Sequence, residues 1–436
     1  MKSRGLRIGS FWVAILMLSP SLAMTDDACD VFSLETVVEK AVEVNIGLRI
    51  SEEEIRAAQS VRQIRRTRFL PTLGAEYSYR RIDDSVSAPG IGTITPNDQY
   101  TFSVSITQPI FSGFSLINQY RSALLEVETA GWKEIQTRRD IVLEAQQIYF
   151  SLLKAQKLES VSGKTIEQIS AQETVARNFY EIDMIPLNDL LQVQVELANA
   201  RQAQVVALNN LDTARSALNI LLRRPVNSPV RIEDIQDYRP FEHGIDYCMD
   251  SAREQRIEIR LADLLIQLAE KDVNIAKKDY FPTVNLKGVY SRLGDEPDTS
   301  GDTGISDPDV WEISASAVWN FWEWGRTRST VNEKKHRLAK ARHQKEQLID
   351  DIVLQVKQAY LKVRETEKNI KTIEQAIGQA RENFRINQER YRNQVATSTD
   401  VLDAQTLLAK TMTNYFTALY DFKIAKASLL WAIGSS

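Results

Sequence analysis

The chain has 436 residues, 43% hydrophobic and 26% charged, which is enough apolar material for a substantial core. A formal net charge of -4, with basic residues spread along helical stretches and no basic patch interleaved with aromatics, excludes a nucleic-acid-binding protein.

Residues 1–23 read as a secretory signal peptide. Lys2, Arg4 and Arg7 give a positive start, and Phe11 to Leu18 give an apolar core too short for a mature span. Ser21-Leu22-Ala23 supplies the small residues of a cleavage site, so the mature chain is expected to begin near Met24. An exported chain meets an oxidising compartment, and Cys29 and Cys248 are candidates for a disulfide. Two separate thiols are the other reading, because sequence does not show proximity. Asp26 stands where a lipoprotein signal needs an apolar residue, which argues against a lipid on Cys29. No later stretch reaches about eighteen consecutive apolar residues, the length of a membrane helix. A soluble periplasmic protein or a membrane β-barrel remains.

Beyond the leader the chain repeats itself. Pro71 and Pro282 stand 211 residues apart (282 − 71), and the same offset joins Tyr149 to Tyr360, Tyr180 to Tyr391, Asp189 to Asp400 and Leu218 to Leu429. Five pairs in one register mark a tandem repeat, with a first copy over 24–222, a linking segment over 223–244 and a second copy over 245–436.

Each copy has the same order. A short helix opens it, from Leu34 to about Asn45 or from Ile245 to about Gln255. A second helix ends before a proline, near Arg68 and near Tyr280, since proline disfavours helical geometry in the residue before it. Two strands follow, at about 72–80 and 100–108 in the first copy and about 283–291 and 311–319 in the second. Leu73, Ala75, Tyr77 and Tyr79 alternate with polar residues, as do Tyr100, Phe102, Val104 and Ile106. In the second copy Val284, Leu286 and Tyr290 alternate weakly, and Trp311, Ile313, Ala315, Ala317 and Trp319 cleanly. Such alternation puts one set on each face of a strand, and runs of this length suit a membrane barrel or a half-buried soluble sheet. Tyr77, Tyr79, Tyr100, Trp311, Trp319 and Trp322 are expected in an interfacial aromatic girdle, with core packing as the plainer reading. The acidic loop from Gly294 to Asp309 reads as a solvated outer loop rather than a calcium site.

A very long helix comes next in each copy, at about 114–180 and 325–391. Each would reach about 100 Å at 1.5 Å per residue. In the second, Ile352, Val356, Ala359, Val363, Thr366, Ile370, Ile373, Ile377, Ala380, Phe384, Asn387 and Tyr391 recur in steps of four and three, the coiled-coil spacing. Turns at 181–187 and 392–398 then lead into return helices. Asn188 and Thr399 are expected as N-caps, with Asp189 and Asp400 complementing the helix dipole in the first turn. Four strands cannot close a barrel, since known ones begin at about eight, so the pattern demands an oligomer.

The marks Phe69-Leu-Pro71, Gln108-Pro-Ile-Phe-Ser-Gly113, Tyr180 to Asp189 and Tyr391 to Gln405, repeated in this order, resemble the TolC-like outer-membrane efflux family over essentially the whole mature chain. The resemblance implies a mainly α protein with transmembrane β: a homotrimer sharing a twelve-stranded barrel in bacterial outer-membrane lipid, above an α-helical periplasmic tunnel. It implies docking of a periplasmic adaptor (membrane fusion) protein at the tip turns, here Asp183, Met184, Ile185 and Pro186 with Asn393, Gln394, Val395 and Ala396. It implies an inner-membrane efflux pump or ABC exporter behind the adaptor, a closed tip that opens like an iris, and no cofactor. Asp183 and Gln394 occupy places where the family often has glycine, and Phe114 stands where the second copy has Gly325. No acidic constriction ring is matched, so no gate residue is named.

An enzyme is the first alternative, but His243, His336 and His343 lack a ligand pattern and no nucleophile motif appears. A soluble periplasmic coiled-coil scaffold is the second. It explains the long helices but not four alternating strands at matched places.

Overall fold

The 211-residue offset reappears in the elements themselves. The computed structural model describes residues 31–89, 92–235, 237–300 and 309–435; the leader expected over 1–23 and Cys29 lie outside them. A short strand β1 (Val31–Phe32) comes first. Ser33 caps α1 (Leu34–Val44) by accepting the Thr36 N–H, and Asn45 caps α2 (Ile46–Thr67) by accepting the Gly47 N–H. Next come β2 (Thr72–Arg81), a small hairpin of β3 (Val86–Ala88) and β4 (Gly92–Thr95), and β5 (Asp98–Ser112). The helices α3 (Ser115–Glu181) and α4 (Leu187–Leu221) complete the first copy. After β6 (Arg231–Ile232), which pairs parallel with β1, the second copy runs α5 (Ile245–Gln255), α6 (Ile257–Ala276) and a 3-10 turn (Lys277–Tyr280). It ends with β7 (Thr283–Gly294), β8 (Asp309–Val318), α7 (Arg326–Arg392) and α8 (Ser398–Ala432). The long helices begin 211 residues apart (326 − 115), and so do the return helices (398 − 187).

β5 is longer than its alternation suggests, because it continues through Pro109. The missing N–H is absorbed at an irregularity between Pro109 and Phe111, where the register against β7 shifts. The long helices have 67 residues each, about 100 Å at 1.5 Å per residue. No described helix is long and apolar enough to cross a membrane. Neighbours along the length hold such helices: α3 packs on α4 and α8, α7 packs on α8, and α2 and α6 flank the upper parts. All twelve seam residues of α7 are buried or half-buried. Ile352, Val356, Val363 and Ile370 share a core with Leu419, Phe422 and Leu429 of α8.

A second core surrounds Tyr149 at the waist, where α1, α3 and the segment after α4 meet. The buried Tyr149 hydroxyl donates to the Glu233 carbonyl at 2.6 Å, and Tyr420 donates to Asp234 Oδ1 at 3.0 Å. Burial first, and the nearby Glu233 and Asp234 second, push the Tyr149 phenol up to about 12. Both tyrosines therefore stay protonated donors and pin the connector to the long helices. Cys248 is fully buried in the α7–α8 core.

Candidate functional site: the sheet faces and the helical tips

The four long strands form one antiparallel sheet in the order β2-β5-β7-β8. Its register aligns Leu73, Ile106, Gly288 and Ile313 in one row, and Ala75, Val104, Tyr290 and Trp311 in the next. Partners in a row share a face, so one face is apolar across all four strands. The opposite face carries Glu76, Ser103, Ser105, Lys287, Ser291, Glu312, Ser314 and Ser316. The apolar face is bare: Leu73 is 77% exposed, Trp311 75% and Ile313 69%. A soluble sheet hides such a face, and a membrane barrel presents it to lipid. β2 and β8 are edges, each hydrogen-bonded on one side only among the described residues.

Aromatics gather at both ends of the sheet. Tyr79 stacks on Tyr100 at the loop end with ring centroids 4.8 Å apart, and Trp311 lies at the same end of β8. Trp319, Phe321, Trp322 and Trp324 follow the last residue of β8 and are all exposed. From Trp311 to Trp319 the rise is about 27 Å at roughly 3.4 Å per residue, close to the roughly 25 Å apolar band of outer-membrane barrels.

The sheet hands over to the long helices through two successive left-handed residues. Gly113 and Phe114 have φ of 60° and 65°, and their counterparts Trp324 and Gly325 have 50° and 82°. Each copy has one glycine in the pair, but at opposite positions. The aromatic left over carries the strained backbone.

At the far end the tips are built alike. Asp183 (φ 57°) and Gln394 (φ 61°) end the long helices in the left-handed conformation. The Met184 N–H donates to the Phe179 carbonyl and the Asp183 N–H to the Tyr180 carbonyl, and Val395 and Gln394 repeat this on Arg390 and Tyr391. This is the Schellman closure, here without its usual glycine. Asp183, Met184, Pro186, Asn393, Gln394 and Val395 are exposed, whereas Ile185 and Ala396 are half-buried anchors. Ile182, Leu187 and Leu191 add exposed apolar surface beside them.

The caps differ from the sequence expectation. Asn188 and Thr399 are not N-caps. Pro186 and Thr397 hold the extended cap geometry, so each helix starts earlier. Thr397 accepts the Asp400 N–H while Asp400 accepts the Thr397 N–H, a reciprocal box that outcompetes a cap at Thr399. The Thr397 backbone and hydroxyl hold the Asp400 carboxyl below its ordinary range. Pro186 has no capping side chain, and Asn188 instead donates to Asp189 Oδ1 at 2.9 Å. Asp189 does lie in the first turn of α4.

Contacts between the two hairpins were not legible from either copy alone. Thr399 donates to Gln192 Oε1 at 3.1 Å, and Gln405 donates to Gln168. Phe179 packs on the buried Tyr391 ring at 5.6 Å.

A sequence profile for outer membrane efflux proteins matches residues 37–222 and again 248–435, and the two matches begin 211 residues apart (248 − 37). The chain belongs to the outer membrane efflux protein family. It is thus a bacterial outer-membrane protein of a channel family, with the fold of TolC-like channels. Outer membrane protein TolC of Escherichia coli strain K12 is 21% identical over 93% of this chain and 84% of its own length. The alkaline protease secretion protein AprF of Pseudomonas aeruginosa is 19% identical over 90% and 82%. The Campylobacter jejuni CmeC outer membrane channel superposes with a TM-score of 0.82, at 16% identity, over 92% of this chain and 85% of that one. The repeat carried this membership in the sequence, since the family profile is itself found twice.

Proposed function

We propose that this chain is the exit duct of a tripartite efflux or type I secretion assembly, conducting substrate passively from an inner-membrane pump and a periplasmic adaptor to the exterior. The observation that carries the reading is the sheet: an apolar face bare to its surroundings, a polar face behind it, and two unpaired edges. Open edges in lipid cost several kcal/mol per unpaired group, so the sheet requires completion by other copies. Three copies give a barrel of twelve strands, with Ser103, Ser105, Ser314 and Ser316 lining a wet lumen.

The repeat supplies the rule for joining copies. Within the chain, the second strand of copy one pairs with the first strand of copy two, as β5 with β7. Continued, the same rule pairs β8 with β2 of a neighbour. The helices follow it too. α8 packs on α3 through Gln405 and Gln168, so α4 packs on α7 of a neighbour through the matched residues Gln194 and Gln379. Energy for transport comes from the pump, and the duct performs no chemistry.

The exposed apolar tips receive the adaptor. Met184→Glu and Val395→Glu are expected to abolish adaptor crosslinking and export while the detergent-extracted oligomer keeps its size. Unchanged crosslinking and export in both variants would remove the tips from the docking surface.

A further inference from the structure

The tandem repeat provides its own control for a cavity at the waist. On α4, Asp212, Arg215 and Ser216 line a cleft covered by connector residues from Val226 to Arg231. On α8 the matched positions are Lys423, Lys426 and Ala427, and they line a cavity of about 350 Å3 covered by Ile235, Asp237 and Arg239 of the same connector. The two clefts share an address in the repeat and differ in chemistry.

In the first cleft, Asp212 holds the Arg215 guanidinium at 3.1 Å, which leaves Arg231 as the one uncompensated cation of a lining without aromatic residues. In the second, Lys423 stands where the acid was. Its ammonium donates to the Asp237 carbonyl at 2.7 Å, and Lys426 donates to the Arg239 carbonyl at 3.2 Å. Backbone carbonyls orient these ammonium groups without neutralising them. The lining holds three cations, Arg239, Lys423 and Lys426, against one carboxylate, Asp237. Behind them Leu34, Phe150, Phe422 and Leu430 form an apolar wall. Burial pushes the Lys423 ammonium below its usual range and Lys426 adds repulsion, while Asp237 and Asp234 oppose the shift. A half-buried cation in this position gains from a counter-ion.

We propose that this cavity binds an amphiphilic anion, with one acidic head on the lysines and a short apolar tail against the Phe150–Phe422 wall. The volume lies within the roughly 300–1,000 Å3 of small-molecule sites. The head needs the cations, and the tail needs the wall. The matched cleft on α4, with a single uncompensated arginine and no aromatic wall, offers no such pair. The inference rests on one chain and does not depend on how many copies assemble.

The test uses the full-length protein in an uncharged detergent, with octanoate as probe and octanol as its neutral counterpart. Lysine acetylation followed by mass spectrometry should show octanoate, and not octanol, protecting Lys423 and Lys426 relative to the other lysines. Native mass spectrometry should show saturable binding of one octanoate per chain. The Lys423→Gln/Lys426→Gln pair should weaken it by roughly tenfold or more, the scale of lost charge-assisted contacts. Lys423→Arg, which keeps the charge, and Asp212→Asn, which alters the other cleft, should leave it intact. Equal protection by octanol, non-saturable uptake, or unchanged binding in the double variant would overturn the proposal.

Discussion

Phe114, Trp324, Asp183 and Gln394 hold a backbone conformation that L residues adopt at a cost of roughly 1–2 kcal/mol. They sit at the two hand-overs of each copy, sheet to helix and helix to tip. Aligning the two copies makes part of this legible: Trp324 reads as left-handed once Gly113 is its counterpart, and Phe114 once Gly325 is. Arg223 (φ 53°) is legible from Gly434 (φ 84°) in the same way. The tip pair has no glycine in either copy, so only the tolerance of Asp183 for such angles hinted at it. Asp183→Gly and Gln394→Gly should each stabilise the tip by about 1 kcal/mol, seen as slower hydrogen exchange in the last turns of α3 and α7. The two hand-over glycines are unequal. A Cβ on Gly113 would lie 2.4 Å from the Lys278 carbonyl oxygen, whereas one on Gly325 meets nothing within 4 Å. Gly113→Ala should therefore lower the melting temperature well beyond Gly325→Ala, which carries only the left-handed penalty.

The elements show which sequence signals are strong. Period-two alternation located the four strands of the main sheet but not the small β3–β4 hairpin, and the four-three seam of α7 is buried or half-buried throughout. The sequence was weaker at ends, where a few hydrogen bonds decide. Pro109 reads as a strand terminus, yet β5 runs on to Ser112 because the bulge spares the missing N–H. The cap of α8 falls on Thr397 because Asp400 answers it from the third position, a reciprocity invisible when Thr399 is considered alone. Thr397→Ala should cost about 1 kcal/mol and fray the first turn of α8, whereas Pro186→Ala removes no capping side chain and should leave α4 nearly unchanged. The Asp400 carboxyl is held below its ordinary value of 3.8, so its contribution is present above that value and is lost as the pH falls through the folded-state value. The protection of amides at the start of α8, referred to the intrinsic exchange rate at each pH, should fall on acidification below that range, and Asp400→Asn should flatten the dependence.

At the scale of the whole molecule, the two copies make one chain a third of a ring under the proposed assembly. The contact between copies inside the chain is visible, and the same contact between chains follows by the repeat. A Gln194→Cys/Gln379→Cys variant should crosslink neighbouring subunits in membranes, while Gln168→Cys/Gln405→Cys should crosslink only within a chain. The sequence made the need for partners legible through four strands, two open edges and helices too long to stand alone. It did not make their number legible, because closure depends on tilt and stagger shared between chains. The mass of the detergent-extracted particle, from light scattering corrected for bound detergent, reads that number out. Three chains are expected, each a little under the 49.6 kDa of the full sequence on loss of the leader proposed over 1–23. A stable monomer that stays soluble without detergent would contradict that expectation, since four strands with a bare apolar face cannot close alone.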